Sequence, residues 1–107
     1  MSAVGVAGDD VVYELTLFVS GASDLAARAI ANARDLCELH CAGRYNLAVV
    51  DIHDDPSALL TRNVLATPTL VKSMPPPVRR VVGDLSQADK VVAKLDLPMV
   101  PDTRRAT

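Results

Sequence analysis

This sequence predicts a single α/β domain with the element order strand, helix, strand, helix, strand, strand, helix, and three observations carry that prediction. The chain has 107 residues, enough for one domain that buries its own core without disulfide or metal staples. Half of the residues are apolar but only 3% are aromatic, so the core has to be built from Val, Leu, Ile and Ala. Short runs of β-branched residues alternate with longer segments whose apolar residues recur every three or four positions, and turn residues separate them.

Val12 to Ser20 is rich in β-branched and aromatic residues and ends at Gly21, which reads as a first strand. Its imperfect alternation suits a central strand buried on both faces. Ser23 or Asp24 can cap a helix running to about Cys41, with Ala26, Ile30, Ala33 and Cys37 forming the stripe that faces the sheet. Gly43 ends that helix, and Tyr45 to Ile52 makes the second strand. Strand, helix and strand of this length form a right-handed unit with parallel strands.

Asp54, Asp55 and Pro56 resemble the start of a short helix that carries Ala58, Leu59 and Leu60 and fades near Asn63. Two short strands follow, Thr69 to Met74 and Val78 to Val82, on either side of Pro75, Pro76 and Pro77. Proline fixes φ and lacks an N–H, so the chain must bend or cross over at those three residues. Together with Thr67-Pro68 they make four X-Pro positions where the two isomers differ little in energy and exchange slowly. Ser86 and Asp89 have capping-box spacing for a last helix, whose apolar face is Val91, Val92 and Leu95 and which Pro98 stops. The whole is the thioredoxin-like order βαβαββα.

Residues 1–10 read as a disordered arm, 11–98 as the domain and 99–107 as a flexible tail. With a net charge of −2 and scattered basic residues, the chain has no electrostatic footprint for nucleic acid or an anionic membrane. It shows neither a secretory leader nor a run near the ~18 residues of a membrane span, which points to the cytoplasm.

Each candidate for chemistry competes with a simpler reading. Thiol exchange on such a fold needs a low-pKa Cys at the start of the first helix, but that loop is Ser20-Gly21-Ala22-Ser23. Cys37 and Cys41 sit at the helix's other end, where the dipole disfavours an anion, and read as reduced packing residues. Cys37, His40 and Cys41 could share a helix side as metal ligands, yet no second cluster supplies a fourth, and His40 there complements the helix dipole. Asp51, Asp54 and Asp55 fit a helix N-terminus as readily as a metal or general-base site. No catalytic triad order, phosphate-binding glycine loop or nucleotide fingerprint occurs. Arg79 and Arg80 are adjacent in a strand and point to opposite faces, so one can pair inside while the other meets a partner.

Ala66-Thr67-Pro68-Thr69-Leu70, Pro75-Pro76-Pro77-Val78-Arg79-Arg80 and Val81-Val82-Gly83-Asp84-Leu85-Ser86, followed by Lys90 and Leu95-Asp96-Leu97, resemble the KaiB family in order and spacing. The likeness runs from Tyr13 to Leu97. It implies a non-enzymatic regulator that takes no cofactor or metal and binds a KaiC-type RecA-fold ATPase in circadian or stress timing. It also implies two folds of one sequence: an oligomeric ground state, dimer or tetramer, ordered βαββααβ, and a thioredoxin-like monomer that binds the ATPase. By the same resemblance the docking residues are Arg28, Leu47, Ala48, Val49, Lys72, Arg79 and Arg80. The switch residues are Pro68, Pro75, Pro76, Pro77, Gly83 and Asp84, and Thr67-Pro68 is expected to be cis in the thioredoxin-like form. Ala31 and Ala48 stand where family members commonly carry lysines, so contacts to a KaiA-like component are not expected. A sensory module of the kind fused to some histidine kinases, and a thiol oxidoreductase, are the alternative readings.

Overall fold

The computed structural model describes residues 11–64 and 66–98, and the expected arm, the expected tail and Leu65 lie outside the described residues. The first strand, β1 (Tyr13–Val19), is followed by α1 (Asp24–His40) and β2 (Tyr45–Asp51). The second half runs α2 (Ala58–Thr61), β3 (Thr69–Met74), β4 (Arg79–Val82) and α3 (Ala88–Leu95). This is the order expected for the thioredoxin-like arrangement, and elements that differ from expectation do so mostly by one residue at an end.

The four strands form one sheet in the order β2-β1-β3-β4. β1 is central, as its two-sided burial predicts, and pairs in parallel with β2 in the register Tyr13↔Tyr45 to Val19↔Asp51. It pairs antiparallel with β3, and β3 with β4, in registers that include Leu17↔Leu70 and Lys72↔Arg79. Pairing fixes the faces. Tyr13, Leu15, Leu17, Leu70 and Val81 lie beneath α1 and α3, with Leu17, Leu70 and Leu95 fully buried. On the other face Phe18 and Val71 pack with Ala58 and Val64 in a smaller cluster that α2 covers at one end.

α1 begins where Ser23 Oγ accepts from the Ala26 N–H at 3.0 Å. Its buried residues are Ala26, Ala29, Ala33, Leu36 and Cys37, so small side chains let the helix lie close to β1. Ile30, expected in that stripe, is only partly buried at its margin. α2 lasts a single turn and leaves Leu60 88% exposed.

The capping box expected at α3 is not formed. Gln87 is the N-cap and gives no side-chain bond, because Ser86 is spent on the preceding loop, where its N–H donates to Asp84 Oδ1 at 3.1 Å. Asp96 closes α3 in the left-handed region at φ 58°, with its N–H on the carbonyls of Val92 and Ala93. The Thr67-Pro68 bond is cis, as expected, and so are Met74-Pro75 and Pro76-Pro77.

Candidate functional site

The expected docking and switch residues fall into three places. The first is the outer edge of β2, which has no strand partner among the described residues. The Ile52 N–H donates to Val19 O, so by the two-residue period Leu47 and Val49 aim their own N–H and C=O away from β1. Leu47 is half-buried while Ala48 and Val49 are exposed. Such an edge is a template for an added strand.

The second place is the β3–β4 side. Lys72 and Arg79 are cross-strand partners on the face covered by α1 and α3. Lys72 is only 1% exposed, and its ammonium donates to Pro75 O at 2.9 Å. It therefore braces the start of the proline turn and offers no accessible charge in this fold. Arg80 lies on the opposite face and donates through Nη1 to Arg62 O at 3.2 Å and Asn63 O at 2.8 Å. The Arg79 side chain is exposed and makes no hydrogen bond or ion pair among the described residues. The adjacent pair is split as strand alternation requires, with Arg80 tied inward and Arg79 presented.

The third place is the loop from β4 to α3, where α1 meets the second half. The Gly83 N–H donates to Pro68 O at 2.9 Å, closing the β3–β4 ladder. Gly83 has φ +124° and Leu85 has φ +68°, and the Leu85 side chain is buried. Asn32 Nδ2 donates to Asp84 O at 2.7 Å, and Arg28 Nε lies 3.7 Å from Asp84 Oδ2. The Ser86 hydroxyl and N–H, aided by Arg28, hold the Asp84 carboxyl below its ordinary range. Pro68, Gly83, Asp84 and Arg28 are thus gathered at one end of β3, while Pro75, Pro76 and Pro77 follow its other end.

The chemically reactive side chains are placed differently. Burial pushes the Cys37 thiol up to about 12 and raises Cys41 as well, and both are fully buried and free. His40 Nδ1 pairs with Pro98 O at 2.9 Å, so the helix end does not gather Cys37, His40 and Cys41 into a ligand set, and no metal-holding group of three exists among the described residues.

One juxtaposition escaped sequence reasoning. Ser20 Oγ lies 2.9 Å from His53 Nε2, brought together across 33 positions because each follows the end of a strand in the parallel pair. The nearby Asp51 does not complete a triad, since its Oδ1 accepts from the N–H groups of Gly21 at 3.1 Å and His53 at 2.9 Å. Those two donors lower the Asp51 carboxyl, and its work is to fix the β1 and β2 ends. Only the parallel register, read with the strand ends, could have signalled the Ser20–His53 contact.

Comparison with known proteins places this arrangement. The family model described as the KaiB domain matches residues 16–97. The circadian clock oscillator protein KaiB of Prochlorococcus marinus is 44% identical over 85 residues, covering 79% of this chain and 71% of that protein. The protein of the same name from Thermostichus vulcanus is 42% identical over 85 residues, covering 79% of each chain. Among solved structures, the N-terminal domain of Synechococcus elongatus SasA superposes with a TM-score of 0.64 at 21% identity, covering 80% of this chain and 85% of that one. Chloroplastic thioredoxin z gives 0.61 at 17% identity over 90% of this chain and 91% of its own, so the fold is thioredoxin-like.

Proposed function

The chain belongs to the KaiB family, and from that premise we propose that it is a cytoplasmic, non-enzymatic regulator that docks on a KaiC-type RecA-fold ATPase in its thioredoxin-like form. Its output is a binding surface. The observation that carries this reading is the edge of β2, where the outward backbone groups of Leu47 and Val49 have no strand partner among the described residues, beside the exposed Ala48. Arg28 and Arg79 supply the accessible charges of the docking surface. Arg80 and Lys72 position it instead, through their bonds to backbone carbonyls.

The switching part of the proposal places the transition in the half after roughly residue 55. A partner that binds only the thioredoxin-like form draws the population toward it by as much as its differential affinity allows. Gly83 and Asp84 control the balance, because their loop is held to α1 by contacts that a rearranged second half would have to release.

Gel filtration of the full chain with the KaiC-type ATPase of its own host tests the docking. Co-elution is expected. Val49→Pro removes an outward N–H without touching the β1 ladder, and Arg79→Glu reverses an exposed charge that is tied to nothing else among the described residues, so each should weaken the complex by roughly tenfold or more while the circular dichroism stays native. Absence of a complex with the unaltered chain overturns the partner, and undiminished binding by both variants overturns the surface.

A further inference from the structure

Arg79 from β4 and Lys90 and Lys94 from α3 line one open groove of about 620 Å³, with Ala93 between them and Asp96 at one end. A second cleft of about 310 Å³ continues from it, sharing Lys90 and Lys94 and floored by Val81, Leu85 and Val91. All three side chains are exposed, and none makes a side-chain hydrogen bond or ion pair among the described residues. This sets them apart from Arg28 on Asp84, Arg62 over the Phe18 ring, and Lys72 and Arg80 on backbone carbonyls. Lys90 and Lys94 are also one helical turn apart, a spacing at which like charges repel. The carboxylates at the groove do not cancel the excess. Asp96 is one charge against three, and Asp84, at the far cleft, is already engaged with Ser86 and Arg28.

The groove runs beside a second open edge. Among the described residues β4 is the last strand of the sheet, on the side opposite β2. Because the Gly83 N–H bonds Pro68 O, alternation along the antiparallel ladder turns the Arg79 and Val81 backbones toward β3 and those of Arg80 and Val82 outward. The Val82 side chain, on the face away from α3, is 58% exposed.

We propose that the β4 edge and the Arg79–Lys90–Lys94 groove dock an extended acidic segment of a partner protein, added to β4 as a fifth strand. Its alternate acidic side chains meet the three cations over α3, and the intervening apolar ones cover Val82 on the other face. Charge complementarity selects this occupant: an apolar strand would leave the three cations unpaired, and a basic one would be repelled. The proposal deepens the docking reading by assigning Arg79 a ligand class. Its test uses no ATPase, so the two can fail separately.

Two-dimensional NMR of the full chain is titrated with a blocked heptapeptide of alternating Glu and Val, and with its Lys and Val counterpart. The acidic peptide should give saturable shifts confined to residues 79–83 and 90–94, with a Kd below about 1 mM, weakening several-fold between about 50 and 300 mM salt. Lys90→Glu with Lys94→Glu should cost roughly tenfold or more in affinity, and so should Val82→Pro, which removes an outward N–H. Shifts centred on residues 45–51, equal binding of the basic peptide, no saturation, or no loss in the variants would each overturn the proposal. So would self-association of the unaltered chain in sedimentation that the double reversal abolishes, because the occupant would then be a second copy.

Discussion

Replacing Gly83 by Ala isolates one backbone torsion. Gly83 holds φ at +124°, a region that L-residues rarely enter, and a β-carbon built there meets no atom within 4 Å. The substitution therefore creates no collision, and its cost is torsional, about 1–3 kcal/mol for a residue held in such a region. That is a roughly 5- to 150-fold change in any equilibrium between this form and one that does not need the positive φ. It is small against the ~5–15 kcal/mol of a typical domain, so the variant should remain folded. Urea melts should show the midpoint of this form falling by the corresponding amount with an unchanged slope. Two-dimensional NMR should show a second set of peaks for residues beyond about 55 while those of β1 and α1 move little. Gly43→Ala is the control, with φ +74° and equally open space, in the half that the proposed switch leaves unchanged. A Gly83→Ala protein with an unchanged midpoint and one unchanged set of peaks would refute the torsional reasoning. If Gly43→Ala redistributed the peaks as strongly, the location of the control would be refuted.

Cys37 and Cys41 should stay unmodified by a thiol reagent at pH 8 until the chain unfolds, because burial raises both thiols; rapid labelling of the native protein would contradict this. As Cys37 titrates near 12 in the folded chain against an ordinary 9.0, its contribution to stability is intact below pH 9 and is lost as pH rises through that interval, an alkaline loss that Cys37→Ala should reduce in melts. Replacing both Cys37 and Cys41 with Ala should leave ATPase binding intact and cost about 1–2 kcal/mol per site. Asp84 titrates below its ordinary value of 3.8, so the stability it adds is present above that pH and disappears as pH falls below it; Asp84→Asn should flatten this acid limb, and an unchanged limb would show that the Ser86 and Arg28 contacts do not hold in solution. Leu95→Ala removes a fully buried side chain and should cost about 2–5 kcal/mol, whereas Leu60→Ala, at an 88% exposed position, should stay within about 0.5 kcal/mol, and reversal of that order in denaturant melts would mean that α3 does not pack as described.

Local signals carried the strand and helix order well, because Gly43, the β-branched and aromatic run of Tyr13 to Val19 and the proline triplet act within a few residues of themselves. That Arg79 and Arg80 point to opposite faces was also legible, since strand alternation alone separates neighbours, but which of the two turns inward was not. What stayed hidden depended on long-range placement. Nothing near Lys72 says that its ammonium turns back to Pro75 O beneath a covering helix, so it reads from sequence as a surface charge. Ser86 has the spacing of a cap but is claimed by Asp84, a competition decided by the loop geometry between β4 and α3. The groove joining Arg79 to Lys90 and Lys94 exists only once α3 has settled against β4, and the Ser20–His53 contact only once β1 and β2 are in register.

The alanines along the inner side of α1 have a consequence for how this molecule can change. A helix that meets its neighbours through Ala26, Ala29 and Ala33 has no teeth: there are few protruding side chains to mesh with matching gaps, and so little to enforce one partner or one register. Large interlocking residues would make the helix a key that fits one lock. The alanine face lies against β1 of the same half, so the polar ties from this helix to the second half come down to Arg28 and Asn32 on Asp84 and to His40 on Pro98. Those fastenings are few, polar and within reach of water, so undoing them strips little from the interior. In the proposed switch, the first half is then the fixed bench from which the second half is lifted by releasing those few ties.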